Sequence, residues 1–229
     1  MSDPRRILLV GATGLVGRRV MEAALGRDDV RLIALTRREA PMPQGARMEM
    51  LVADPAEWEQ SVATVAPDAI ICALGTTWRK AGKDEAAFRA VDQDLVLWLA
   101  KAAKEAGVSN FVLISSVGAN PLSRNFYLRV KGEVEAALRK MRFHRLDMLR
   151  PGLLRGPRSR DRRPGERLAI LASPITDLFL GGARRHLRSI DARRVARAAL
   201  QAAKEKAQGT FMHENEAIAR LERRLEGIG

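Results

Sequence analysis

The chain contains a single tyrosine, Tyr127, and a lysine four residues later, Lys131. With eight lysines in 229 residues, chance puts one at that spacing about one time in thirty. On a helix, positions i and i+4 share a face, so both head groups point into the same space. A free phenol titrates near ~10 and exchanges protons poorly at neutral pH. A nearby ammonium stabilises the phenolate and makes the tyrosine a usable acid and base. Ser115 and Ser116 precede Tyr127 by twelve and eleven residues, at the end of a predicted strand. A hydroxyl there would hydrogen-bond a substrate carbonyl and share the charge developing on its oxygen. Either serine fits this role while the other caps the loop, and the reading favours Ser116 as the one facing substrate. Together these residue types describe proton exchange at a carbonyl or alcohol.

A second constellation lies at the N-terminus. Gly11-Ala12-Thr13-Gly14-Leu15-Val16-Gly17 directly follows the apolar run Ile7–Val10 and opens an amphipathic segment. Glycine spacing is weak evidence alone, but a strand before it and a helix after it form the context of a dinucleotide fingerprint. Gly11 permits the tight turn, Gly14 lets the backbone approach a pyrophosphate, and Gly17 lets the helix pack close to the sheet. The amides around Thr13, Gly14, Leu15 and Val16 would then face the phosphates. The next strand ends in Arg37-Arg38, about twenty-five residues beyond Gly11. An acid at that place holds the ribose hydroxyls of NAD, whereas arginine accommodates the 2′-phosphate of NADP. Glu39 stands beside the pair as the NAD-type acid. The expectation is therefore NADP(H) as preferred cofactor, with NAD(H) possible; no metal is called for.

These residues need elements to position them. Short apolar runs alternate with amphipathic ones, the pattern of βαβ units on a parallel sheet. Strands are predicted at Ile7–Val10, Val30–Leu35, Met48–Val52, Asp68–Leu74, Asn110–Ser115 and Leu146–Leu149, with a seventh at Gly209–Met212. Helices are predicted at Gly17–Leu25, Glu85–Ala106 and Phe126–Met141, near 167–180 and 191–206, and in a closing segment to about 225. The expected fold class is α/β, a Rossmann-type doubly wound parallel sheet. It is read as a single domain over residues 1–229, with a dinucleotide-binding core in 1–150. Residues 155–167, dense in Arg, Pro and Gly, read as a loop over the cleft, followed by C-terminal helices.

Composition narrows the classes of partner. Hydrophobic residues make up 46% of the chain, enough for a packed core. No apolar run approaches the roughly 18 residues of a membrane span. The lone cysteine, Cys72, forms no internal disulfide and reads as a buried small hydrophobe in a cytoplasmic protein. Net charge is +13, all of it in residues 121–229, since the first 120 residues balance to zero. Arginines supply 32 of the 40 basic residues. With aromatics at 4% and no groove-reading motif, nucleic acid is an unlikely partner and a solvated surface the simpler reading.

These motifs resemble the short-chain dehydrogenase/reductase superfamily in its atypical branch, over most of the chain. Gly11–Gly17, Leu74-Gly75-Thr76-Thr77, the string from Tyr127 to Glu135, and Arg150-Pro151-Gly152 resemble the subgroup of the human Tat-interacting protein and its bacterial NAD(P)H-binding relatives. The resemblance implies cofactor contacts at Thr13, Gly14, Leu15, Val16, Arg37, Arg38, Leu74, Gly75, Tyr127 and Lys131. It also implies contacts at Leu154 and at Arg163. Two departures stand out. Trp78 follows Thr77 where relatives often carry arginine. The asparagine that many members place in the helix before the fifth strand is replaced by Val91-Asp92-Gln93-Asp94, which puts the proton relay it supports in doubt. The resulting expectation is an NADP(H)-dependent oxidoreductase of a small carbonyl or alcohol. The alternative is an NADPH-binding regulator or scaffold with a protein partner and little turnover.

Overall fold

The computed structural model describes residues 3–156 and 189–227. Seven strands form one parallel sheet: β1 (Arg5–Val10), β2 (Val30–Thr36), β3 (Glu49–Val52), β4 (Ala69–Cys72), β5 (Asn110–Ile114), β6 (Arg145–Leu149) and β9 (Gly209–His213). Their order is β3-β2-β1-β4-β5-β6-β9. The Rossmann expectation holds. Chain order reverses between β1 and β4, and at such a switch point a crevice opens beyond the carboxyl ends of the strands. A separate two-stranded pairing joins β7 (Leu154–Arg155) to β8 (Ile190–Asp191).

The near-continuous apolar strands follow from burial on both faces. In β1, Ile7 and Leu9 enter one core while Leu8 and Val10 enter the other, as the two-residue period of a strand requires. The first core is roofed by α1 (Leu15–Ala23), α6 (Ala192–Lys204) and α7 (Asn215–Leu225). The second is roofed by α2 (Trp58–Val65), α4 (Leu95–Glu105) and α5 (Phe126–Lys140).

The structure departs from the sequence reading in two places on this second face. Helix α2 was not expected. It is introduced by a short 3₁₀ turn, Pro55–Glu57, where Asp54 accepts from the Ala56 amide and forms a capping box with Glu57. The helix expected over Glu85–Ala106 is broken into α3 (Glu85–Arg89) and α4 by one π-helical turn, Ala90–Asp94. The extra residue in that turn rotates Asp92 to full burial, and such π turns recur at functional sites. The helix expected near 167–180 lies outside the described residues.

Candidate functional site

The glycine turn joins β1 to α1 at the switch point. Gly11 has φ of +93°, and a Cβ there would sit 2.5 Å from the Ala73 carbonyl, so only glycine fits against the neighbouring β4 loop. A Cβ on Gly17 would lie 2.2 Å from the Gly11 oxygen. Helix α1 can therefore start directly on the turn. Its N-cap is Gly14, which offers no side chain, and no acid stands in its first turn. The first amides of the helix are thus left for an external anion.

A cleft of about 190 Å³, open to solvent, lies against this turn. Seven of the expected cofactor residues line it: Gly11, Thr13, Gly14, Arg37, Arg38, Leu74 and Gly75. Leu15, Val16, Tyr127, Lys131 and Leu154 do not. Val16 is core, and Leu15 and Leu154 pack half-buried against that same core. Arg163 lies outside the described residues. Of the lining residues that the sequence reading did not assign to the cofactor, three bring polar or aromatic groups. Thr36 ends β2 with its buried hydroxyl making no hydrogen bond. Lys80 brings a third cation beside Arg37 and Arg38. Trp58 forms an indole floor, its Nε1 donating to the Ala53 carbonyl at 3.2 Å. A cradle of bare helix amides, an unpartnered hydroxyl and three cations fits the phosphates and ribose of a dinucleotide.

Helix α5 supplies the second half of the site. Asn125 caps it by accepting from the Leu128 amide at 3.2 Å. Tyr127, Lys131 and Glu135 follow at four-residue steps on one face. Lys131 is buried and ion-paired at 2.8 Å with Asp92, whose other oxygen accepts from the Thr76 amide at 2.7 Å. Burial alone would lower the lysine pKa. The Asp92 carboxylate and Tyr127 outweigh that and hold it above the usual lysine value. A Cβ on Gly75 would stand 3.5 Å from Asp92 Oδ1 and 4.0 Å from Lys131 Nζ. The ammonium therefore sits directly beneath the loop that walls the cleft. Asp92 occupies the segment where the sequence showed no asparagine, and it does so as a carboxylate partner of the lysine.

The two serines separate by their surroundings. Ser115 is buried, and its hydroxyl donates to Glu135 Oε1 at 2.5 Å. Glu135 is also gripped by the Arg150 guanidinium, with Nη2 2.5 Å from Oε2. Ser115 thus ties α5 to the ends of β5 and β6. Ser116 is half-buried, and its hydroxyl makes a long 3.3 Å hydrogen bond to the Val117 carbonyl. Cys72 is fully buried in β4, and burial pushes its thiol up to about 11, which fits a packing role.

Comparison with known proteins bears on this arrangement. Residues 11–206 match the NAD(P)H-binding family. This chain belongs to that family. Among curated proteins it is 38% identical over 170 residues to the mitochondrial protein fmp52 of Emericella nidulans, spanning 71% of this chain and 72% of that one. It is 37% identical over 170 residues to the HTATIP2 protein of Rattus norvegicus, spanning 72% and 69%. The resemblance to the Tat-interacting subgroup therefore stands. Among solved structures, MoeE5 in complex with UDP-glucose and NAD matches with a TM-score of 0.67 at 16% identity, covering 97% of this chain and 82% of that one. UDP-N-acetylglucosamine 4-epimerase from Bacillus cereus matches with a TM-score of 0.65 at 22% identity, covering 94% and 82%. These two share the fold. The FMP52 relatives are named mitochondrial, which overturns the expectation of a cytoplasmic location for this NAD(P)H-binding family member. That expectation rested on a lone reduced thiol, which excludes an internal disulfide without distinguishing one reducing compartment from another. Among the described residues, no helix is long and apolar enough to cross a membrane.

Proposed function

We propose that the chain is an NADP(H)-dependent oxidoreductase of the short-chain dehydrogenase/reductase type acting on a small carbonyl or alcohol. The observation that carries this reading is the position of Lys131 and Asp92 beneath Gly75, which couples the Tyr127 helix to the wall of the glycine-turn cleft. Thr13, Gly14 and the amides opening α1 would hold the pyrophosphate. Arg37 and Arg38, helped by Lys80 and the Thr36 hydroxyl, would hold a 2′-phosphate. When bound, the nicotinamide supplies or accepts the hydride. Tyr127 gives or takes the proton at its phenolic oxygen. Lys131, kept charged by Asp92, serves the nicotinamide ribose and favours the phenolate. Ser116 polarises the carbonyl, since the Ser115 hydroxyl is committed to Glu135.

Calorimetric titration tests the cofactor half. NADPH is expected to bind at least tenfold tighter than NADH, about 1.4 kcal/mol, and Arg37→Asp is expected to weaken NADPH much more than NADH. Equal affinities in the native chain would defeat the NADP assignment. The catalytic half is tested by following NADPH oxidation against a panel of aldehydes, ketones and quinones. Tight NADPH binding with no turnover of any of them would move the protein to the regulatory reading.

A further inference from the structure

Aromatic residues are scarce in this chain, ten in all, yet four of them, the proposed proton donor included, meet in one cluster. Phe88, fully buried, forms the base. The Phe126 ring stands 5.5 Å from it, and the Tyr127 ring meets its edge at 5.9 Å. Trp78 closes the group, 5.3 Å from Phe126 and 6.4 Å from Phe88. The two outer rings stay partly open to water, Trp78 at 41% and Tyr127 at 38% exposure. An indole left in water forgoes a large burial gain, so a site that keeps one open has apolar capacity to offer a ligand.

The loop that carries the indole is held in place. Trp78 begins a tight turn in which its carbonyl accepts from the Lys83 amide at 2.9 Å, and the preceding Thr77 carbonyl accepts from Ala81 at 2.9 Å. The Thr77 hydroxyl also accepts from the Lys80 amide at 3.2 Å. Gly75, three residues before the indole, and Lys80, two residues after it, both line the cofactor cleft. One short loop therefore lines the cleft at both ends and, in its middle, rests its indole on Phe126 and Phe88, the ring that Tyr127 also meets.

We propose that Trp78 is a specificity-determining residue and that the substrates are planar aromatic aldehydes or ketones, stacked on the indole with the carbonyl toward Tyr127. This deepens the oxidoreductase reading and rests on it. The reaction is the same two-electron reduction. The carbonyl carbon gains a hydride from the reduced dinucleotide, the oxygen gains the Tyr127 proton, and an alcohol and oxidised dinucleotide result. Offset and edge-to-face ring pairs gain roughly two- to tenfold in affinity beyond area burial, a preference that a puckered ring of equal size does not enjoy.

A matched pair of ketones tests this, because acetophenone and cyclohexyl methyl ketone share a skeleton and differ in planarity. With the full chain and NADPH, kcat/KM for acetophenone is expected to exceed that for the cyclohexyl ketone by roughly two- to tenfold. In the unreactive complex with NADP⁺, saturation-transfer NMR is expected to show acetophenone bound in preference. Trp78→Ala and Trp78→Arg should each erase both preferences, while Trp78→Phe, which keeps a ring, should retain most of them; circular dichroism reports whether each variant folds. Equal binding of the two ketones, or a preference that survives in folded Trp78→Ala, overturns the proposal. Reduction of aliphatic carbonyls alone overturns the aromatic class and leaves the oxidoreductase reading standing. Selective acetophenone binding, lost in Trp78→Ala, with no carbonyl reduced, supports the stacking role and overturns the oxidoreductase reading instead.

Discussion

Replacing Tyr127 with Phe removes one oxygen and leaves the ring against Phe88. Positioned proton transfer contributes about 10²–10⁴-fold to a rate, so Tyr127→Phe should cut turnover by that factor. NADPH affinity should stay within about threefold, as fluorescence titration would show; full activity in the variant would remove the phenol from the mechanism. Asp92 raises a different question, because its charge is buried. Asp92→Ala would leave the Lys131 ammonium buried without its partner, at a cost of roughly 3–5 kcal/mol, visible as a lowered urea midpoint. Cys72 gives a pH signature. Burial favours its thiol in the folded chain and pushes it up to about 11, against an ordinary 9.0. Its stabilising contribution is therefore complete below about pH 9 and is lost as pH rises towards 11. Over that window the native chain should lose more stability than Cys72→Ala. At this scale the sequence showed the residue types and their spacing: Tyr127 with Lys131, the glycines, and the arginine pair. It did not show partners. The division between Ser115 and Ser116 depends on Glu135, a helix away, and Asp92 was visible only as a missing asparagine.

Helix α5 illustrates what is required of an element that carries chemistry. It is capped by Asn125, has Arg139 and Lys140 in its last turn where the helix dipole favours cations, and is clamped through Glu135 to Ser115 and Arg150. Beside Lys131, Gly132 lets the 120–121 backbone cross the helix. A Cβ there would lie 2.2 Å from the Asn120 carbonyl carbon, with backbone rather than a flexible side chain in the way. Gly132→Ala should cost at least the roughly 1–3 kcal/mol of an overpacked site. It should also weaken NADPH binding by displacing the adjacent lysine; a thermal melt and a cofactor titration would check both. Most elements were legible from their apolar periods. Helix α2 was missed, although Asp54-Pro55-Ala56-Glu57 carries a capping signal and Trp58 and Val62 supply a buried stripe. The π turn over Ala90–Asp94 was not legible, since one inserted residue leaves no mark in a helical period.

For the whole molecule, alternation of strand and helix indicated a doubly wound sheet, and the strand order agrees. Less legible was how the chain's two ends depend on each other. Helix α1, from the first 25 residues, lays Val16, Val20 and Met21 into a core completed by α6 and α7, from the last 40. Arg5 donates to the Ala203 carbonyl at 2.8 Å, and Asn110 to the Glu205 carbonyl at 2.7 Å. Residues 1–150, read from sequence as the dinucleotide-binding core, should therefore be insoluble when expressed alone, because one face of their sheet keeps only α1 of its three roofing helices. Sedimentation of the fragment after lysis would check this. The same dependence governs synthesis. On the ribosome, the glycine turn and α1 emerge before α6 and α7, the helices that cover the apolar stripe of α1. That stripe stays uncovered until α6 and α7 leave the exit tunnel, and exposed apolar surface of this kind is what makes a partly made chain prone to aggregate.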